Sequence, residues 1–217
     1  MKKLLSIFGA MFLTLSMTFV FTACSTDRPK IKIVLEDGRE MTFVLYRDYS
    51  EKTVDHFLSL VKEDYYDGVA FSDFQSSRIL IGNYEFNEDG LLVEKAEVDT
   101  VHGEFESNGT YVENNPLLHV FGVLSMYNGW ADGVEGASRN SASNVFFIST
   151  ATNTSYDGKY ATFGMIYGTS SIDVLNDILL DDLIAADDYA YTDLNDEYGI
   201  TLPSEKIIIK DIVIDNV

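Results

Sequence analysis

The sequence predicts a mainly β fold, a closed antiparallel β-barrel capped by two helices. Short apolar runs are separated by turn signals, and only two segments carry helical periodicity. No internal repeat and no Gly/Ser linker divides the chain, so the strands must share one core. Cys24 is the single cysteine, which rules out an internal disulfide and leaves that core to carry the stability.

The elements follow in order. Ile31–Glu36 and Met41–Tyr46 are apolar runs joined at Asp37-Gly38, a pair suited to the positive φ angles of a tight hairpin turn. Ser50 is a fair N-cap, and Val54, Phe57, Leu58 and Val61 share one face of a helix over 51–63. Asp67-Gly68 then turns the chain into strands at Val69–Phe74 and Arg78–Ile81. Further strands are expected at Gly122–Tyr127, Val145–Ser149 and Thr162–Tyr167. Ser171 is read as the cap of a second helix lined by Ile172, Leu175, Ile178 and Leu179, which runs into an acidic loop at 181–197. After Pro203, the alternation of Lys206–Ile214 marks a closing strand.

Charge and composition exclude several functions. A formal net charge of −20 leaves no basic stripe for phosphates, so nucleic acid is not an expected partner. His56, His102 and His119 are dispersed and read as surface or helix-flank residues, with no metal-ligand or triad spacing around them. The acidic loop lacks the Asp-x-Asp-x-Asp-Gly pattern of a calcium loop. No Gly-rich phosphate loop is present. Neither metal nor cofactor is expected.

The N-terminus carries an address. Lys2 and Lys3 precede a 20-residue apolar run, Leu4–Ala23, and then Cys24. Phe21-Thr22-Ala23-Cys24 is similar to a bacterial lipobox, in which the cysteine becomes the lipid-bearing first residue. An uncleaved membrane anchor is the other reading of the same run. The lipobox reading divides the chain into a signal peptide (1–23), a lipidated Cys24 with a short tether (24–30) and one domain (31–217). It puts the protein at the extracytoplasmic face of the cell membrane.

Three ordered blocks carry a family resemblance: TVDHFLSLVKEDYYDGVAF (53–71), HGEFESNG with NNPLLHVFGVLSM (102–126), and SASNVFFISTATNTSYDGKYATFG (141–164). Together they resemble the cyclophilin-type peptidyl-prolyl cis-trans isomerases in their bacterial lipoprotein form. The resemblance implies a foldase for exported proteins, whose partners are proline-containing segments, working as a monomer without cofactor. Its alternative is a catalytically impaired peptide-binding or holdase module on the same fold.

Carried over position by position, the resemblance implies a proline pocket made by Phe147, Ile79, Tyr156 and Tyr160, bordered by Ile81 and Val145 where the family has glutamines. Asn128 stands at the asparagine whose backbone pairs with bound peptide. Asp73 stands where the family keeps its catalytic arginine, and Arg78 stands at an aromatic wall. Arg78 or Arg139 could supply the missing guanidinium. Trp130, in a stretch longer than the family's loop, either covers the groove or packs on the surface. Phe146 and Phe147 are neighbours in a strand, so one of them belongs to the core.

Overall fold

A computed structural model describes residues 28–96, 98–109, 115–180, 183–185, 201–203 and 205–215. Cys24, the apolar run before it and most of the acidic loop 181–197 lie outside the described residues. The chain order is β1 (Lys30–Leu35), β2 (Glu40–Leu45), α1 (Glu51–Lys62), β3 (Val69–Gln75), β4 (Arg78–Phe86) and β5 (Leu92–Glu94). A short 3-10 turn at Glu106–Asn108 comes next, followed by β6 (Val123–Met126), β7 (Phe146–Ser149) and β8 (Ala161–Ile166). α2 (Thr169–Leu180), β9 (Leu183–Ala185), β10 (Thr201–Pro203) and β11 (Ile209–Asp215) complete the order.

The main sheet runs β11-β1-β2-β8-β6-β7-β4-β3, with β5 added on β4, and its pairs are antiparallel. It curls until its edges meet. The Phe71 N–H donates to the Ile207 carbonyl at 2.8 Å and the Gly68 N–H to that of Ile209 at 2.9 Å, on either side of an Ala70–Ile208 bridge. Strand alternation in β1 and β2 sends Ile31, Ile33, Leu35, Met41, Phe43 and Leu45 inward, all fully buried. α1 lays Val54, Phe57, Leu60 and Val61 on this interior, where Phe57 meets Tyr66, Phe146 and Phe163 at ring separations of 5.2–5.4 Å. Each such ring stabilises the fold by roughly 1.5–3 kcal/mol.

Two helix starts differ from expectation. Ser50 precedes α1, but its hydroxyl donates to the Thr162 carbonyl instead of capping the helix. The cap comes from Glu104, whose carboxylate accepts from the Lys52 and Thr53 N–H groups at 3.2 and 2.8 Å and from the Thr53 hydroxyl at 2.7 Å. α2 begins at Thr169, and Ser171 faces inward, accepting from the Thr42 N–H at 2.9 Å. The helix thereby docks on β2 through Ser171, Leu175 and Ile178, leaving Ile172 exposed.

Candidate functional site

The β3–β4 hairpin closes with Gln75 opposite Arg78, and β4 then pairs with β7 so that Leu80 faces Phe147 and Ile81 faces Phe146. Opposed residues share a face of the sheet. Leu80 and Phe147 therefore point outward together, in a cluster with Tyr160, Tyr127, Val145 and Tyr156. Ile79 and Ile81 point the other way, fully buried in the barrel core beside Phe146 and Ile148. The placement of Ile79 and Ile81 in the pocket is corrected by this register: the outward face of β4 belongs to Arg78 and Leu80.

A bulge interrupts the neighbouring strand β3. Ser72 pairs with Leu80 and Phe74 with Ile79, so Asp73 is the extra residue at a register shift. Its φ of +50° is the left-handed conformation that aspartate tolerates better than most residues. The Asp73 carboxylate accepts from Gln75 Nε2 at 2.6 Å, and Gln75 Oε1 accepts from Arg78 Nε at 2.8 Å. Asp73 thus orients the guanidinium through Gln75.

Arg78 fills the pocket. Its guanidinium carbon lies 5.3 Å from the Phe147 ring centre, 5.1 Å from Tyr156 and 5.7 Å from both Tyr127 and Tyr160. Nη1 donates to the Tyr160 hydroxyl at 3.1 Å, and Nη2 donates to Asp132 Oδ2 at 2.7 Å. The Tyr160 hydroxyl in turn donates to Asp132 Oδ1. Phe147, Tyr160, Leu80 and Arg78 are all buried as a result. The site is an aromatic cup closed by the chain's own cation and a carboxylate from the loop after β6.

Burial works against the charge on Arg78, but the hydrogen bond and field of Asp132 outweigh it and hold the guanidinium above its ordinary range. Burial, with Asp132 nearby, pushes the Tyr127 phenol up to about 12 and raises Tyr160 as well. Both phenols are therefore protonated at neutral pH, as the Tyr160 contact to Asp132 requires. Asn128 sets the start of the Asp132 loop: its Nδ2 donates to the Lys159 carbonyl and its Oδ1 accepts from the Ala131 N–H, both at 2.9 Å.

The other expected residues fall around the cup. Tyr156 accepts from the Ser77 hydroxyl at 3.3 Å and packs edge-on to Phe147 and Tyr160. Val145 packs against the same cluster. Arg139 is elsewhere, 4.3 Å over the ring of Trp130, which stacks on Phe105. His119 is not a surface residue: it is 1% exposed, stacks on Phe147 at 5.9 Å, and its Nδ1 lies 2.8 Å from Asp157 Oδ1. A nearby cleft also borders Tyr160 and is lined by Glu104, Leu117, His119, Asp157 and Thr162. Among the described residues, no group of three or more His, Cys, Asp or Glu is arranged to hold a metal.

Gln75, Leu80, Asp132 and the His119–Asp157 pair were not singled out from sequence. Leu80 was recoverable from alternation with Arg78. Asp132 carried no signal, because its role depends on where a loop folds back.

A family model for the cyclophilin type peptidyl-prolyl cis-trans isomerase/CLD matches residues 30–189. The chain belongs to that family. It is 28% identical over 132 residues to the peptidyl-prolyl cis-trans isomerase ppi1 of Schizosaccharomyces pombe, covering 59% of this chain and 72% of the relative. A segment of 43 residues is 51% identical to a Streptococcus pyogenes protein described as a bifunctional phosphatase/peptidyl-prolyl cis-trans isomerase, 20% of this chain but 9% of that protein. In structure it is similar to a cyclophilin type peptidyl-prolyl cis-trans isomerase of Cryptosporidium parvum, with a TM-score of 0.58 at 21% identity over 88% of this chain and 99% of that one. The same Cryptosporidium protein in the presence of the dipeptide Ala-Pro gives a TM-score of 0.55 at 22% identity, over 87% and 99% of the two chains. These neighbours share the cyclophilin fold.

Proposed function

We propose that this cyclophilin-type protein is a peptidyl-prolyl cis-trans isomerase acting on exported, still-folding chains, held by a lipid on Cys24 at the outer face of the cytoplasmic membrane. The observation that carries the catalytic reading is the Arg78 guanidinium against Phe147, ringed by Tyr127, Tyr156 and Tyr160. Supporting the address are the apolar run Leu4–Ala23 and Cys24 behind it. The domain division at 23/24 and 30/31 follows from the same reading. Among the described residues, no helix is long and apolar enough to cross a membrane.

Isomerisation meets a barrier of roughly 18–20 kcal/mol because the twisting C–N bond loses amide resonance. An apolar slot lowers it by removing water from the peptide carbonyl, and a donor aimed at the pyramidalising imide nitrogen stabilises the twisted state. Phe147 with Leu80 and Val145 supplies the slot. Arg78 is the cation beside it, and Gln75 and Asp73 set its direction. In this reading the proline ring takes the place of the guanidinium on Phe147, and the displaced Arg78 acts as donor at the lip.

A second reading is favoured by two observations. Asp73 stands at the family's arginine position, and the cup is filled, which suits a peptide-binding or holdase module without rate enhancement. Exchange NMR on an Ala-Pro peptide with the full-length chain separates the two. Faster cis–trans exchange that is lost in Arg78→Met supports the isomerase. Peptide line broadening without acceleration supports the binding module, and neither effect would defeat both.

A further inference from the structure

Asp132 reaches the cup from a loop, and the other groups holding Arg78 come from elsewhere in the chain. The Arg78 side chain is 5% exposed, whereas that of Asp132 is 23% exposed. Gln75 accepts from Nε, the Tyr160 hydroxyl accepts from Nη1, and four ring faces surround the guanidinium. Arg78 Nη2 and the Tyr160 hydroxyl then converge on the two oxygens of one carboxylate. A guanidinium N–H and a phenol O–H directed at a single carboxylate form a charge-assisted receptor for that group. Asp132 is its replaceable half.

We infer that Arg78 and Tyr160 form a carboxylate-binding site, occupied by Asp132 when the groove is closed, and that the groove's ligands are peptide segments in which an aspartate or glutamate neighbours the proline. The inference rests on the cup being a proline-peptide site. A neutral peptide that opens the cup takes Asp132 away from Arg78 and leaves the displaced guanidinium at the lip without a counter-charge. An acidic peptide exchanges one carboxylate for another. The guanidinium then leaves the Phe147 ring still ion-paired, and the vacated ring face receives the proline. The chain's net charge of −20 does not cancel this attraction at physiological salt, where charges more than about 8 Å away are largely screened.

The test titrates the full-length chain with two blocked peptides, Ala-Glu-Pro-Phe and Ala-Gln-Pro-Phe, followed by peptide NMR. The glutamate peptide is expected to bind about tenfold tighter, the gap one charge-assisted contact produces. The preference should shrink with added salt and vanish in Arg78→Met. Asp132→Asn removes the competing carboxylate and should tighten the glutamate peptide more than the glutamine one. If Asp132→Asn does not fold, Arg78→Met and the salt series on the wild type decide the matter. Equal binding of the two peptides, or a preference that survives in Arg78→Met, overturns the inference and leaves the proline-peptide reading standing. Binding of neither peptide overturns that reading and the inference with it.

Discussion

The two partners of the Arg78–Asp132 pair are unequally buried, so removing one should cost far more than removing the other. In Asp132→Asn the guanidinium keeps Gln75, Tyr160 and its aromatic neighbours but loses its counter-charge while 95% of its side-chain surface stays buried. Leaving a desolvated charge unpaired costs about 3–5 kcal/mol, and the remaining amide oxygen at 132 brings this to the lower end, about 3 kcal/mol. In Arg78→Met the apolar stem is retained and the carboxylate left behind is almost a quarter exposed, so it hydrates in place. That change should cost about 1 kcal/mol or less. Urea unfolding of the full-length chain measures both, with an expected difference of about 2 kcal/mol; in a thermal scan Asp132→Asn should lower Tm by about 6–12 °C. If Asp132→Asn is neutral, or Arg78→Met is the more damaging change, the guanidinium is not held desolvated in the cup and the description of the closed groove fails.

Three other outcomes follow from the same structure. Glu104→Ala removes the acceptor at the start of α1 and should destabilise by about 1–2 kcal/mol in urea, while Ser50→Ala should leave the helix cap intact. Gly82 has a φ of +114°, and an added Cβ would lie 2.4 Å from the Asn144 carbonyl oxygen, so Gly82→Ala should cost at least about 3 kcal/mol or prevent folding, read from soluble yield and circular dichroism. Burial lowers the pKa of His119 against the opposing pull of Asp157, with Arg78 adding to the lowering. Below about pH 6.5 the unfolded chain then binds the extra proton, so stability should decline from pH 7.5 to 5.5, and less so in His119→Gln.

The barrel was legible because its strands carry strong local patterns. Ile31, Ile33 and Leu35 alternate inward from β1 as their spacing predicts, and the Asp37-Gly38 turn has Gly38 at a φ of +89°. Val54, Phe57 and Val61 made α1 readable in the same way. The site was less legible because it depends on non-local register. The choice between Ile79 and Leu80 for the pocket is made by the β4–β7 register, which sets Leu80 opposite Phe147 and Ile79 opposite Ile148. Phe147, Tyr156 and Tyr160 lie in the Ser141–Gly164 block that carried the resemblance, and they do gather around one point. What occupies that point, Arg78 held by Asp132 across 54 residues of sequence, has no local signature. The same holds for Glu104 capping a helix that begins 53 residues earlier.

The most direct test is the NMR signal of the Arg78 Nε–H group, assigned by its loss in Arg78→Met and followed while a prolyl peptide is added to the full-length chain. Ring currents from the four surrounding aromatic faces should set this resonance far from the position of a solvated arginine in the free protein. Binding should then move it toward the solvated value as proline takes the face of Phe147. A resonance that stays in place while the peptide binds would mean that the peptide sits somewhere other than the cup, and would contradict the account at its centre.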